Sequence, residues 1–402
     1  MTKRLTIGFL PLVDACLPIL AHEHGFAEDE GLELAFVRDL SWATVLDRLL
    51  YGHSDAAHLL APLAIAVTLG RGRPAQPLAA PFVLGLNGNA ITVSNALAET
   101  IGADGALADP AKVGARLKAA AQASLQEGRK LRFGVVHRYS SHNYMLRYWL
   151  AGCGITPDEE VEIATIAPPF SADALNAGEI DGSCVGEPWN SIAVERGAGQ
   201  IVLVTAQIWR RGVEKVLALP EQRLAEIRPE IEGLIRAMRK AGEHFVDPEN
   251  WDMNAAILSR PEYCDAPIKL VRHAISDRLV LRQGEAPSEF PDFMFQYHEA
   301  ANFPWVSQAE WLYSQLVRWD ELEFDSQAAH AAARVFRPDV YRSALARSNE
   351  PLPTASSKVE GSVSEALEAS TQDGTILLEN NTFFDGRSFD PDHLEEYIFA
   401  QK

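Results

Sequence analysis

Lys215 stands among apolar residues in the run Gly212-Val213-Glu214-Lys215-Val216-Leu217-Ala218-Leu219. A lysine on such a strand either faces solvent or meets an anion, and the alternation leaves both open. His142 falls in His137-Arg138-Tyr139-Ser140-Ser141-His142-Asn143, between a strand and a helix that carries Arg147, Tyr148 and Trp149. Ser140 or Ser141 caps that helix, leaving free backbone N–H groups at its start. A cationic histidine in a first turn opposes the helix dipole, which makes sense where an anion binds. A surface histidine near a helix cap is the equal alternative. Asn89, in Asn87-Gly88-Asn89-Ala90-Ile91-Thr92-Val93, offers an amide donor to an oxyanion or belongs to a plain Asn-Gly turn. Trp42 and Ala43 open a helix after Ser41, where backbone N–H groups and the indole N–H are donors; core packing is the other reading of the tryptophan. Glu187-Pro188-Trp189-Asn190 reads foremost as a helix start after a buried strand.

Other chemistry finds little support. There is no GxSxG elbow, P-loop, HExxH or GxGxxG motif, so no catalytic residue and no cofactor is expected. His22 and His24 lie two apart on a helix and share no face, and His137 and His142 lack a clear carboxylate or thiol partner. Cys16, Cys153, Cys184 and Cys264 form no CxxC pair, so free thiols are expected and no metal site.

The elements that position these residues alternate. Strands read at Leu5–Leu10, Leu32–Val37 and Asp55–Leu60, with helices at Ala15–His24, Trp42–Leu50 and Pro62–Leu69. The rhythm restarts after a helix at Ala111–Leu125, with strands at Leu131–Val136, Val161–Ile166 and Ile180–Val185. Such alternation implies parallel sheets covered by helices. Two α/β lobes are expected, with residues 1–90 and 211–245 in the first and 91–210 in the second. A helical region over 246–348 packs on the lobes, and 349–402 is a polar extension in which Ser356–Gly361 reads as linker. Phe383, Phe384, Tyr397 and Phe399 are its candidate anchors, onto the body or onto a partner. A cleft between two such lobes suits a small ligand.

The chain has 402 residues, 47% of them hydrophobic, and a formal net charge of -19. That surface repels nucleic acid phosphates, so no direct nucleic acid binding is expected, and an anion site would need local donors and cations. No apolar run reaches the ~20 residues that span a bilayer, so no membrane association is expected. Met1–Arg4 followed by Leu5–Val13 imitates a signal peptide. Its apolar part is short, holds Gly8 and Pro11, and doubles as a first strand, so a cytoplasmic location is expected.

Several segments together resemble the nitrate-binding and bicarbonate-binding solute receptors of ABC transporters. They are Gly8–Ala15, Ser41-Trp42-Ala43-Thr44, Asp55-Ala56-Ala57-His58, Asn87–Ile91, His142-Asn143, Arg147–Ala151, Val185–Asn190 and Asn302-Phe303-Pro304-Trp305. The resemblance implies an α/β type II periplasmic-binding-protein fold, two lobes around a ligand cleft with an added helical C-terminal region. It also implies a nitrate or nitrite ligand held at Trp42, Ala43, Asn89, His142 and Lys215, with Asn89 standing where such receptors usually carry glutamine. The cytoplasmic expectation narrows the resemblance to the NasS-type nitrate/nitrite sensors. These imply a partner, an ANTAR-domain RNA-binding antiterminator released when the anion binds, and so a regulator of nitrate assimilation. A periplasmic nitrate or bicarbonate receptor of an ABC transporter is the alternative.

Overall fold

The computed structural model describes residues 2–348, 350–372 and 374–401. Eleven strands build its two main sheets, the short Met294–Phe295 and ten longer ones: β1 (Lys3–Phe9), β2 (Leu32–Arg38), β3 (Ala56–Leu60), β4 (Leu78–Asn87), β5 (Asn89–Ser94), β6 (Leu131–Val135), β7 (Val161–Thr165), β8 (Gly182–Gly186), β9 (Gly199–Val204) and β10 (Val213–Pro220). The first sheet runs in the order Met294–Phe295, β4, β10, β3, β1, β2, and the second β7, β6, β8, β5, β9. In the first sheet β1 pairs parallel with β2 and β3, while β10 is antiparallel to β3 and β4. β3 and β4 are buried along their whole length, so their sequences are near-continuous apolar runs rather than alternations.

Helices cover both faces of the first sheet. Cys16–Glu23 and Ala61–Thr68 are almost wholly apolar because they lie in the interior. Arg228–Val246 instead buries one stripe, Ile231, Leu234, Ile235 and Met238, at the spacing of a helix face turned to the core.

The chain passes between the sheets through Gly88 and again through residues 205–212. Asn87 joins the two crossings. Its amide nitrogen donates to Arg210 O at 2.8 Å and Asp292 O at 3.2 Å, and its carbonyl accepts Gly212 N–H at 3.1 Å. Asn87 and Gly88 have φ of 62° and 86°, a left-handed pair that suits asparagine and glycine.

The expected polar extension is a packed element. Glu360, in the stretch expected as linker, is fully buried and accepts from Ser307 Oγ at 2.8 Å. A hairpin joins Leu367–Thr371 to Gly374–Leu378, and a helix covers Leu394–Phe399. Phe383 stacks on Trp209 and Trp311 with ring centroids 4.8 and 5.7 Å apart, and Tyr397 accepts from Trp311 Nε1 at 3.1 Å. Phe399 is 60% exposed and meets the body edge-on, at Phe324, with ring centroids 6.4 Å apart. The four cysteines are free thiols, with Cys153 half-buried and the other three buried.

Candidate functional site

Four of the residues singled out in the sequence meet in the buried seam between the lobes. Trp42 begins the helix Trp42–Leu50, whose N-cap Ser41 accepts Thr44 N–H at 3.2 Å. His142 sits in the first turn of Ser141–Gly152, fixed by Ser140, whose Oγ accepts Asn143 N–H at 3.1 Å and donates to His137 O at 2.6 Å. Asn89 opens β5 and Lys215 lies inside β10. Asn89, His142 and Lys215 are 0% exposed and Trp42 is 1% exposed. Ala43 follows Trp42 with an exposed side chain, so its backbone N–H alone is available to a ligand.

Three further residues complete the cluster. Lys215 Nζ lies 2.6 Å from Asp14 Oδ2 and 2.9 Å from Glu214 Oε1. Asp14 Oδ1 is 2.9 Å from His58 Nε2. His142 Nδ1 is 3.2 Å from Glu214 Oε1, but too poorly aligned for a hydrogen bond. The Trp42 ring lies 5.4 Å from the His58 ring and 5.9 Å from Lys215 Nζ. A Cβ on Gly186 would come 3.1 Å from Asn89 Oδ1 and 3.7 Å from Asp14 Oδ2, so the glycine leaves those side chains their place. Sequence reasoning missed Asp14, His58 and Glu214 as site residues. The available signal was ionisable groups inside otherwise apolar runs.

Glu214 and Lys215 are neighbours, and strand alternation would send them to opposite faces. The pairing of β10 with β4 slips in register around Lys215, and both side chains reach the same cluster.

Polar capacity remains unused in this seam. Trp42 Nε1, both amide atoms of Asn89 and both ring nitrogens of His142 are buried without a hydrogen-bond partner among the described residues. A buried polar group left unmatched costs about 1–3 kcal/mol, so several in one place mark a place for a ligand. Burial pulls the Asp14 carboxyl up, but Lys215 and His58 outweigh it and hold the group far below the usual carboxylate range. Burial would lower the Lys215 ammonium; Asp14 and Glu214 instead raise it. His142 is held well below an ordinary imidazole by burial and by the charge of Lys215. The donor set is therefore one ammonium, one indole N–H, one amide and neutral imidazole beside an aromatic wall. It matches a small, weakly basic oxyanion.

The lobes meet around the cluster. Val13 N–H donates to Glu187 O at 2.9 Å, Trp189 Nε1 to Pro11 O at 3.2 Å and Ser141 Oγ to Glu214 O at 3.5 Å. No group of three or more potential metal ligands occurs among the described residues.

Two sheet-based lobes closed over a buried cleft define the periplasmic-binding-protein fold. The chain belongs to the NMT1-like family, which it matches over residues 1–259. It is 32% identical over 341 residues to the nitrate import ATP-binding protein NrtC of Synechocystis, spanning 84% of this chain and 49% of that protein. The chain thus spans about half the length of that relative. It is 27% identical to the nitrate/nitrite binding protein NrtA of Nostoc, over 100% of this chain and 86% of that one. The crystal structure of the periplasmic nitrate-binding protein NrtA from Synechocystis superposes with a TM-score of 0.86 at 24% identity, covering 100% of this chain and 99% of the other.

Proposed function

We propose that this chain is a binding protein for nitrate or nitrite, with the anion held in the interlobe seam by Trp42, Asn89, His142 and Lys215. The observation that carries the reading is the convergence of those four side chains, with unpartnered donors on three of them, in one buried place. The names of the relatives support the same ligand class and favour a receptor that serves an ABC-type importer. On this reading the chain binds its ligand and does not transform it.

A second reading carries one observation of its own. Residues 3–9 form β1, paired on both sides inside the first sheet. The apolar stretch that imitates a signal peptide is therefore a strand of the fold. The second reading is the cytoplasmic sensor, in which anion binding releases an ANTAR-domain antiterminator. Mixing the protein with such a partner and adding nitrate separates the readings: a complex that dissociates on nitrate supports the sensor, and no complex supports the receptor.

Isothermal titration calorimetry with nitrate, nitrite, bicarbonate and sulfate tests the ligand class. Binding of nitrate or nitrite in preference to the others is the expected result. Binding of bicarbonate alone, or of none of the four, overturns the proposal.

A further inference from the structure

The seam holds more negative charge than an anion receptor wants. One ammonium, Lys215, faces two carboxylates, Asp14 at 2.6 Å and Glu214 at 2.9 Å, in a place almost shut off from water. Every ionisable group that faces the cluster can be named. Asp14 comes from the turn after β1, His58 from β3, Glu214 and Lys215 from β10, and His142 from the helix Ser141–Gly152. Cys184 of β8 lies near Glu214, and Cys16 and Cys264 lie near Asp14; burial keeps all three thiols protonated. With both carboxylates ionised and both imidazoles neutral the cluster sums to one negative charge. With one proton on the Glu214–His142 pair it sums to zero. Neither state offers a net positive charge to an incoming anion.

A monoanion added to the neutral state would leave an uncompensated charge in a dry seam, which costs several kcal/mol. A proton from solvent removes that deficit, and the acceptor is already in position. His142 Nδ1 sits 3.2 Å from Glu214 Oε1, and its Nε2 has no partner. Resting on the reading of this seam as an oxyanion site, we propose that the anion is taken up together with one proton. The proton lodges on the Glu214–His142 pair. Before binding, the pair shares one proton; afterwards Glu214 and His142 each carry one, and the cluster with its anion is neutral. No bond in the ligand forms or breaks. Burial raises Glu214 above the ordinary carboxylate range, which fits a proton held there.

The same count sets specificity. A monoanion needs one proton and a dianion needs two, so the seam disfavours sulfate.

The test is calorimetry of nitrate binding at pH 7 in buffers of different ionisation enthalpy, repeated from pH 6 to pH 8. About one proton taken up per nitrate is expected, with affinity falling about tenfold for each unit of rising pH. His142→Asn takes away the second site of the pair and should bring uptake close to zero and flatten the pH profile, with nitrate bound more weakly. Nitrate binding by the unaltered protein with no proton uptake overturns the proposal, as does undiminished uptake in His142→Asn. Should that variant fail to fold, the uptake measured on the unaltered protein decides alone. Absence of nitrate binding at every pH instead overturns the oxyanion reading on which the proposal stands.

Discussion

The Trp42 ring lies beside His58 and Lys215, while its Nε1–H has no partner among the described residues. Packing and recognition therefore separate at a single atom. Trp42→Phe keeps an aromatic ring and removes the donor. We predict a loss of nitrate affinity of about 1–2 kcal/mol, roughly five- to thirtyfold, with the melting temperature little changed. Titration calorimetry beside a thermal melt checks it, and equal affinity in the variant would return Trp42 to a packing role. Glu187 gives a prediction of opposite character. It is 2% exposed, and burial raises its carboxyl from 4.5 to about 7. The folded protein then holds a proton that the unfolded chain has released, so stability falls as pH rises from about 4.5 to 7 and stays reduced above that. Glu187→Gln keeps an acceptor near Ser191 N–H and removes the titration. It should be more stable than the parent above pH 7, by at most about 3 kcal/mol, with the advantage vanishing near pH 4; urea denaturation at both pH values reads this. Trp42, Asn89, His142 and Lys215 were each legible as donors, although the alternation around Lys215 did not decide between solvent and interior. Asp14, Glu214 and His58 were not legible, because their meaning lies in which charge each one faces. Lys215 meets Asp14 across roughly two hundred residues of chain, and no local pattern encodes that contact.

Helix starts do the positioning. Ser140 is fully buried, caps the helix that carries His142 and also donates to His137 O. Ser140→Ala removes both bonds. A destabilisation of about 1–2 kcal/mol is predicted, together with weaker nitrate binding because the first turn no longer holds the imidazole in place. Denaturant midpoints and calorimetry on the same sample test it; a stability loss with unchanged affinity would mean that His142 is positioned by its other neighbours. Elements of this kind were well marked in the sequence. Trp42–Leu50 was read to the residue, and Ala15–His24 and Pro62–Leu69 differ from the observed helices by one residue at each end. The caps and the change from strand to helix periodicity are local signals. β4 escaped reading as a strand, since Leu78–Asn87 contains Pro81 and is buried on both faces, so it shows no alternation. The last fifty residues were misjudged for a different reason. Their composition is polar, and a few buried residues, among them Phe383 and Tyr397 against Trp209 and Trp311, turn the segment into part of the body.

At the scale of the molecule, the site exists only when the lobes are together. Lys215, Asp14 and Trp42 belong to one lobe, and Asn89 and His142 to the other, so an anion that contacts both sets favours the closed state by its differential affinity. The closing surfaces are held by bonds that include Val13 N–H on Glu187 O, Trp189 Nε1 on Pro11 O and Ser141 Oγ on Glu214 O. Both crossings between the sheets are fastened by Asn87. Nitrate should therefore slow hydrogen exchange at Val13 N–H while leaving amides in the centre of β1 unchanged, because the latter are paired within one sheet in either state. Gly186 gives the same argument a genetic form. It ends β8 in the second lobe, and a Cβ there would meet Leu12 of the first lobe at 3.4 Å and Asn89 Oδ1 at 3.1 Å. Gly186→Ala burdens the closed state and leaves the open one free of the Leu12 contact. Its nitrate affinity should fall severalfold, the protection at Val13 N–H should shrink in proportion, and the ligand-free melting temperature should move little. Loss of affinity with full protection at Val13 would place the effect on Asn89 alone and remove closure from the account of binding.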